Sequence, residues 1–142
     1  MGAIEKIVQK LRGHPELNWA IDGGSLNVDP VSPDGYRVWI DCSDGKFTVG
    51  FDGWHEHFDD EDEALDCFAF GFSDQCRLKV VRRGDFDCAW TLESQEHDTW
   101  IEDSTVGLFM VPFWRKKSVI YKRNALQSSK SSTAFAEDGL SV

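Results

Sequence analysis

Short segments of alternating apolar and polar residues, separated by tight-turn residues, run through this chain and constrain its fold most strongly. The clearest case joins residues 36–42 to residues 47–51 through Ser43, Asp44 and Gly45. A period of two is typical of strands with one buried face, and Asp-Gly is a strong hairpin-turn signal. Successive hairpins, without alternating strand and helix units, predict a mainly antiparallel sheet.

The same signals predict further strands on both sides of this hairpin. They cover residues 17–21, 26–28, 77–82, 88–93, 99–102 and 106–111, with an edge strand at 118–122. Asp52 and Gly53 leave two interpretations open, a second tight turn or a bulge within one long strand. The choice decides the direction of the side chains that follow, Trp54, His55 and His57.

Two helices are predicted from apolar residues at helical spacing. In residues 3–12, Ile4, Ile7, Val8 and Leu11 form one stripe. In residues 60–72 the stripe is Leu65, Phe68 and Phe72, and Asp59 or Asp60 can cap the free N–H groups of the first turn. The predicted fold class is α+β: an antiparallel sheet of about six to eight strands, with an N-terminal and a central helix on one face.

Length and composition suit one domain. A chain of 142 residues, 41% of them apolar, can bury a substantial core. We predict a single α+β domain over residues 1–124 and a disordered, Ser-rich tail over residues 125–142. Four scattered cysteines without a CxxC pair favour reduced thiols over a zinc ribbon.

Net charge is −10 and is unevenly distributed. Residues 14–75 contain 15 acidic and 2 basic residues, whereas residues 106–123 are basic. An acidic body repels phosphate backbones, so we expect no nucleic-acid partner. A basic protein is the natural complement. No apolar run approaches the roughly 20 residues of a membrane span, and no signal peptide is evident, so we expect a cytoplasmic protein without a membrane partner.

The strongest candidate site lies where aromatic residues meet an acidic run. Trp54 stands at a possible turn beside this run, and Trp39 shares a strand face with Arg37 and Asp41. An exposed tryptophan surrounded by charge is a good interface anchor. We therefore predict a surface for a basic partner, formed by Trp39, Trp54, Asp59, Asp60, Glu61, Asp62 and Glu63.

His55 and His57 support an alternative. On a strand, residues two apart project from the same face, so both imidazoles can bind one metal ion. A third ligand would come from Asp59, Asp60 or His97. No catalytic motif and no cofactor-binding motif is present, so no catalytic residue is predicted. The alternative function is a metal-binding or small-ligand-binding protein, with hydrolase activity as one form of it.

The small size, acidity and six tryptophans make this chain similar to bacterial immunity proteins, which neutralise often basic toxins by surface complementarity. Composition and size carry this resemblance, and no motif does. It implies a non-enzymatic module that binds a basic protein. The mechanism expected is electrostatic steering followed by burial of an aromatic anchor.

Overall fold

The computed structural model describes residues 2–124 as an α+β fold with two antiparallel sheets and two helices. Sheet A has five strands, each paired with the next in sequence, and sheet B has four. Sheet A contains β1 (Trp19–Asp22), β2 (Ser25–Val28), β3 (Val38–Ser43), β4 (Lys46–Phe51) and β5 (Trp54–Phe58). Sheet B contains β6 (Cys76–Arg83), β7 (Phe86–Glu96), β8 (Thr99–Gly107) and β9 (Lys117–Lys122) in the order β8-β7-β6-β9. Helix α1 (Ala3–Leu11) precedes sheet A, and α2 (Glu61–Phe70) connects the sheets.

The predicted α+β class with antiparallel strands is confirmed, but the strands divide between two sheets instead of forming one. Helix α2 stands between β5 and β6 in the chain, and no strand of sheet A pairs with one of sheet B. The predicted edge strand at 118–122 corresponds to β9, which pairs with β6. The separate strand predicted at 106–111 is wrong, because β8 stays paired with β7 as far as Gly107 and the chain then leaves the sheet.

A helix cap, an ion pair and a glycine position the two helices. The carboxylate of Asp60 accepts a hydrogen bond from the backbone N–H of Glu63 at 3.0 Å, which caps the first turn of α2. Lys6 of α1 and Glu61 of α2 form an ion pair at 2.6 Å that links the two helices. Gly71 follows α2, where a Cβ would lie 2.6 Å from the Phe51 ring. The helix therefore ends close against β4 of sheet A.

One cluster of buried residues draws on both helices and both sheets. Tyr36 is fully buried in this cluster and donates a hydrogen bond from its hydroxyl to the Gly71 carbonyl at 2.7 Å. Buried Asn124 accepts hydrogen bonds from the backbone N–H groups of Val31 and Tyr36 at 3.2 and 3.1 Å. Asn124, the second residue after β9, thus fixes the loop between β2 and β3.

The four cysteines are free thiols, two buried and two half-buried. Burial raises the pKa of the Cys76 thiol to about 12 and that of Cys67 well above its ordinary value. Among residues 2–124, no helix is long and apolar enough to cross a membrane. The predicted tail, residues 125–142, lies outside the described residues.

Candidate partner-binding face

The turn at Asp52 and Gly53 fixes the directions of the side chains that follow. It is a tight turn, with Asp52 at a φ of 50°, and β4 and β5 pair across it from Phe51 and Trp54 onwards. Trp54 therefore shares the buried face of sheet A with Phe51. Its ring stacks on Phe51 at 5.0 Å, and its Nε1 donates to the Ser104 hydroxyl at 2.9 Å.

The prediction of Trp54 as an exposed anchor is wrong, since the side chain is 1% exposed. The strand alternation that buries Trp54 turns its neighbours His55 and His57 to the opposite face. The sequence placed Trp54 next to charge along the chain, but the side chain contacts the core. The Trp54 ring is therefore not available to contact a partner.

Three of the five carboxylates in the acidic run at the start of α2 have partners within the fold. Asp60 caps the helix, Asp59 lies 3.6 Å from the Lys46 ammonium, and Glu61 pairs with Lys6. The remaining two, Asp62 and Glu63, are exposed. Binding of a partner by this run stays a prediction.

The strand register brings two rows of side chains together on the half-exposed face of sheet A. We call these ten residues the outer face. One row crosses all five strands through Asp22, Ser25, Asp41, Thr48 and His57. The neighbouring row contains Ala20, Asn27, Trp39, Gly50 and His55.

Trp39 is held in one position at the centre of this face. Its cross-strand neighbour is Gly50, where a Cβ would lie 2.0 Å from the indole ring. The indole Nε1 donates a hydrogen bond to the Asp52 carbonyl at 3.0 Å. The centre of the His55 ring lies 6.3 Å from that of Trp39. Glycine at position 50 thus provides the space that the indole occupies.

His55 and His57 lie side by side, with ring centres 5.6 Å apart and the rings edge to face. Nδ1 of His57 is 2.9 Å from the Thr48 hydroxyl, and Nδ1 of His55 is 3.4 Å from the Gly53 carbonyl. Across residues 2–124, no group of three or more His, Cys, Asp or Glu side chains is arranged to hold a metal ion. His97 occupies the β7–β8 turn of sheet B. The metal site stays a prediction, with its two imidazoles on a shared face.

An open cavity of about 640 Å³ adjoins Trp39 on the side of β1 and β2, whereas the two histidines lie on the other side, on β5. Its lining includes Asp22 and Asp41, whose carboxylates have no cationic partner within residues 2–124, although Asp41 accepts a hydrogen bond from the Ser25 hydroxyl. Asp52 also lines the cavity, but it pairs with Lys122 at 3.1 Å. The cavity thus combines a fixed indole with two carboxylates that form no ion pair among residues 2–124. Its lining also includes Arg37, whose guanidinium lies 3.9 Å from the Asp29 carboxylate.

Asp22, Asp41 and Gly50 were not predicted as site residues. The sequence showed that Trp39 alternates with Arg37 and Asp41, which indicated a half-exposed face. It did not show which residues of β1, β2 and β4 lie beside Trp39, because that depends on the register across four strands.

No protein-family model, no curated protein and no solved structure matches this chain.

Proposed function

We propose that this protein is a non-enzymatic interaction domain that binds a basic protein through the outer face of sheet A. The observation that carries the proposal is Trp39, fixed over Gly50, next to the carboxylates of Asp22 and Asp41, which form no ion pair among residues 2–124. An inhibitor of a basic toxin would be one relationship of this kind.

Two physical arguments support this function. An indole already held by Gly50 and the Asp52 carbonyl loses little conformational freedom when a partner covers it. Carboxylates without internal cations keep their field available to a partner, so they speed encounter with a basic surface. A guanidinium or ammonium group placed against Trp39 would meet both the aromatic ring and the carboxylates.

The test compares two variants of equal charge. Asp22→Asn/Asp41→Asn neutralises the outer face, and the matched control Asp62→Asn/Glu63→Gln neutralises the exposed part of the α2 run. Each immobilised protein is exposed to proteins of the source cell at physiological salt, and retained proteins are identified and quantified by mass spectrometry. We expect a basic protein that wild type and the control retain and the outer-face variant loses.

Trp39→Ala supplies a third arm, since it removes the anchor without changing charge. Retention that is equal for wild type, the outer-face variant and Trp39→Ala would contradict the proposal. Loss with the α2 control alone would return the site to residues 59–63. Loss with both charge variants but not with Trp39→Ala would show that total charge, rather than a face, attracts the protein.

A second function is favoured by one observation, the adjacent imidazoles of His55 and His57. We retain the proposal of a metal-binding or small-ligand-binding protein, with the metal held by these two side chains and completed by a ligand or solvent. Metal content of the purified protein and its melting temperature with zinc or nickel test it. A rise that His55→Ala abolishes and His97→Ala leaves intact would support the site, and no metal and no rise would reject it.

A further inference from the structure

The segment that joins β8 to β9 exposes an unusual concentration of apolar side chains. Residues 108–114 are all aliphatic, aromatic, Met or Pro and include no charged side chain. Phe109 is 98% exposed, Met110 83%, and Phe113 and Trp114 72% each. Together with exposed Phe86 they surround an open cavity of about 600 Å³. We call residues 108–114 and Phe86 the apolar tip.

The apolar tip is attached to one end of sheet B. Leu108 donates its backbone N–H to the Cys88 carbonyl at 2.8 Å, and Gly84 donates to the Lys116 carbonyl at 3.0 Å. The Arg115 guanidinium lies over the Phe86 ring at 5.5 Å. The segment therefore projects at the β6–β7 turn, and contiguous exposed apolar surface of this kind marks an interaction site.

Cations border the apolar tip. Three basic residues follow it directly: Arg115, Lys116 and Lys117. The backbone of Arg83 on β6 lies opposite that of Lys117 on β9, which adds a fourth cation. Asp85 is an opposing charge in the adjacent turn, and Asp87 is already paired with Arg82 at 2.7 Å. The local charge at this end is therefore positive, in contrast to the net charge of −10 of the whole chain.

We propose that the apolar tip inserts into the interfacial layer of a membrane whose surface carries anionic lipids. Phe, Trp and Leu side chains are favoured at the boundary between headgroups and acyl chains, and neighbouring Lys and Arg side chains bind anionic headgroups. Side chains that project nearly fully exposed from a loop match this layer, which accepts them without a preformed pocket. Such contact needs no membrane-spanning helix. It therefore departs from the expectation of no membrane partner, which rested on the absence of an apolar run long enough to span a membrane.

The acidic body does not cancel this attraction. The contact between Lys122 and Asp52 links the sheets at the far end of β9 from Lys117. Lys117 and Lys122 are five residue steps apart along the strand, roughly 16 Å, which is about two Debye lengths at physiological salt. At this distance, dissolved salt weakens the effect of the Asp52 carboxylate on the cations at the tip. Those cations can therefore attract an anionic lipid surface, and the uneven charge of the protein orients the tip towards it.

The test is co-sedimentation of the full chain with vesicles of phosphatidylcholine alone or mixed with phosphatidylglycerol, at low and high salt. Wild type is expected to sediment with the mixed vesicles and less at high salt. Phe109→Ser/Met110→Ser/Trp114→Ser is expected to abolish binding. Arg115→Gln/Lys116→Gln/Lys117→Gln is expected to lower the partition coefficient on the order of 100-fold for mixed vesicles, because each cation contributes roughly fivefold.

Ile101→Ser is the matched control, since Ile101 is an exposed apolar residue on β8 of the same sheet. It is expected to bind as wild type does. Melting curves for all variants verify folding, which changes at exposed positions should leave intact. The proposal is overturned by absence of sedimentation with mixed vesicles or by equal binding of the triple serine variant. It is also overturned if wild type ignores vesicles and forms an oligomer that the serine variant dissociates, because the tip would then be a protein interface.

Discussion

The outward faces of the two sheets differ in whether their charged side chains form ion pairs. On sheet B, charged side chains pair with one another: Arg77 with Glu93 at 2.6 Å, and Lys79 with Glu102 at 3.1 Å. On sheet A, Asp22 and Asp41 face the open cavity beside Trp39, and no cation among residues 2–124 pairs with them. Both faces belong to antiparallel sheets over the same core, so secondary structure does not explain the contrast. Arg77 and Lys79 of sheet B therefore have partners within the fold, whereas the Asp22 and Asp41 carboxylates of sheet A form no ion pair among residues 2–124.

Arg77 shows how complete the internal pairing of sheet B is. Its guanidinium lies 4.4 Å from the centre of the Trp100 ring and 4.1 Å from that of Tyr121. Its Nε donates to Glu93, which is only 3% exposed. Two aromatic rings and one carboxylate thus contact this cation, whose side chain remains 23% exposed. On the side of sheet A that bears Trp39, Arg37 is less enclosed: its side chain is 56% exposed, and its guanidinium lies 3.9 Å from the Asp29 carboxylate.

The largest loss of stability is expected when the contacts of Arg77 on sheet B are removed. Arg77→Ala should lower the free energy of unfolding by about 3 kcal/mol, because it leaves the buried Glu93 carboxylate without its cation and removes two aromatic contacts. Urea denaturation followed by circular dichroism measures it. Lys79→Ala, which breaks an exposed pair on the same strand, is the control and should cost much less. Equal losses in the two variants would mean that burial of Glu93 contributes nothing.

A smaller effect is expected where the centre of the outer face is disturbed. Gly50→Ala should cost about 2 kcal/mol, because the new Cβ would lie 2.0 Å from the Trp39 ring and displace it from the Asp52 carbonyl. Near-ultraviolet circular dichroism and urea denaturation measure the change. Gly107→Ala on β8 is the control, since a Cβ there meets its nearest neighbour at 3.9 Å. Similar losses at both positions would show that Trp39 is not held by position 50.

Local signals predicted the elements that depend on neighbouring residues alone. Helix α1 follows from one apolar stripe, and the β3–β4 hairpin follows from alternation around Asp44 and Gly45. The division into two sheets was not predicted, because strand pairing is settled between distant segments. The end of β8 at Gly107 was missed for a related reason, since the apolar residues beyond it continue the pattern of a strand but have no strand to pair with.

The site was predicted in part. Trp39 was identified as half-exposed from its alternation with charged residues. Burial of Trp54 depended on the turn at Asp52, for which two interpretations remained. The meeting of Asp22 with Asp41 requires two successive registers, β1 with β2 and β2 with β3. A single sequence contains each of these residues but does not contain their neighbours in space.

The smallest effect on stability is expected from Asp22→Asn/Asp41→Asn, the same change that should abolish partner binding. The free energy of unfolding should stay within about 0.5 kcal/mol of wild type, because neither carboxylate has an internal cation to lose and the amide at position 41 can still accept from Ser25. The matched control on sheet B, Asp87→Asn/Glu102→Gln, also removes two charges but breaks two ion pairs, so it should be the less stable variant. Urea denaturation at low and high salt compares the two double variants. Added salt should reduce the difference between their free energies of unfolding, because it screens the sheet B ion pairs. If the sheet A variant is destabilised as much as the control, its carboxylates serve the fold, and the contrast between the two faces fails.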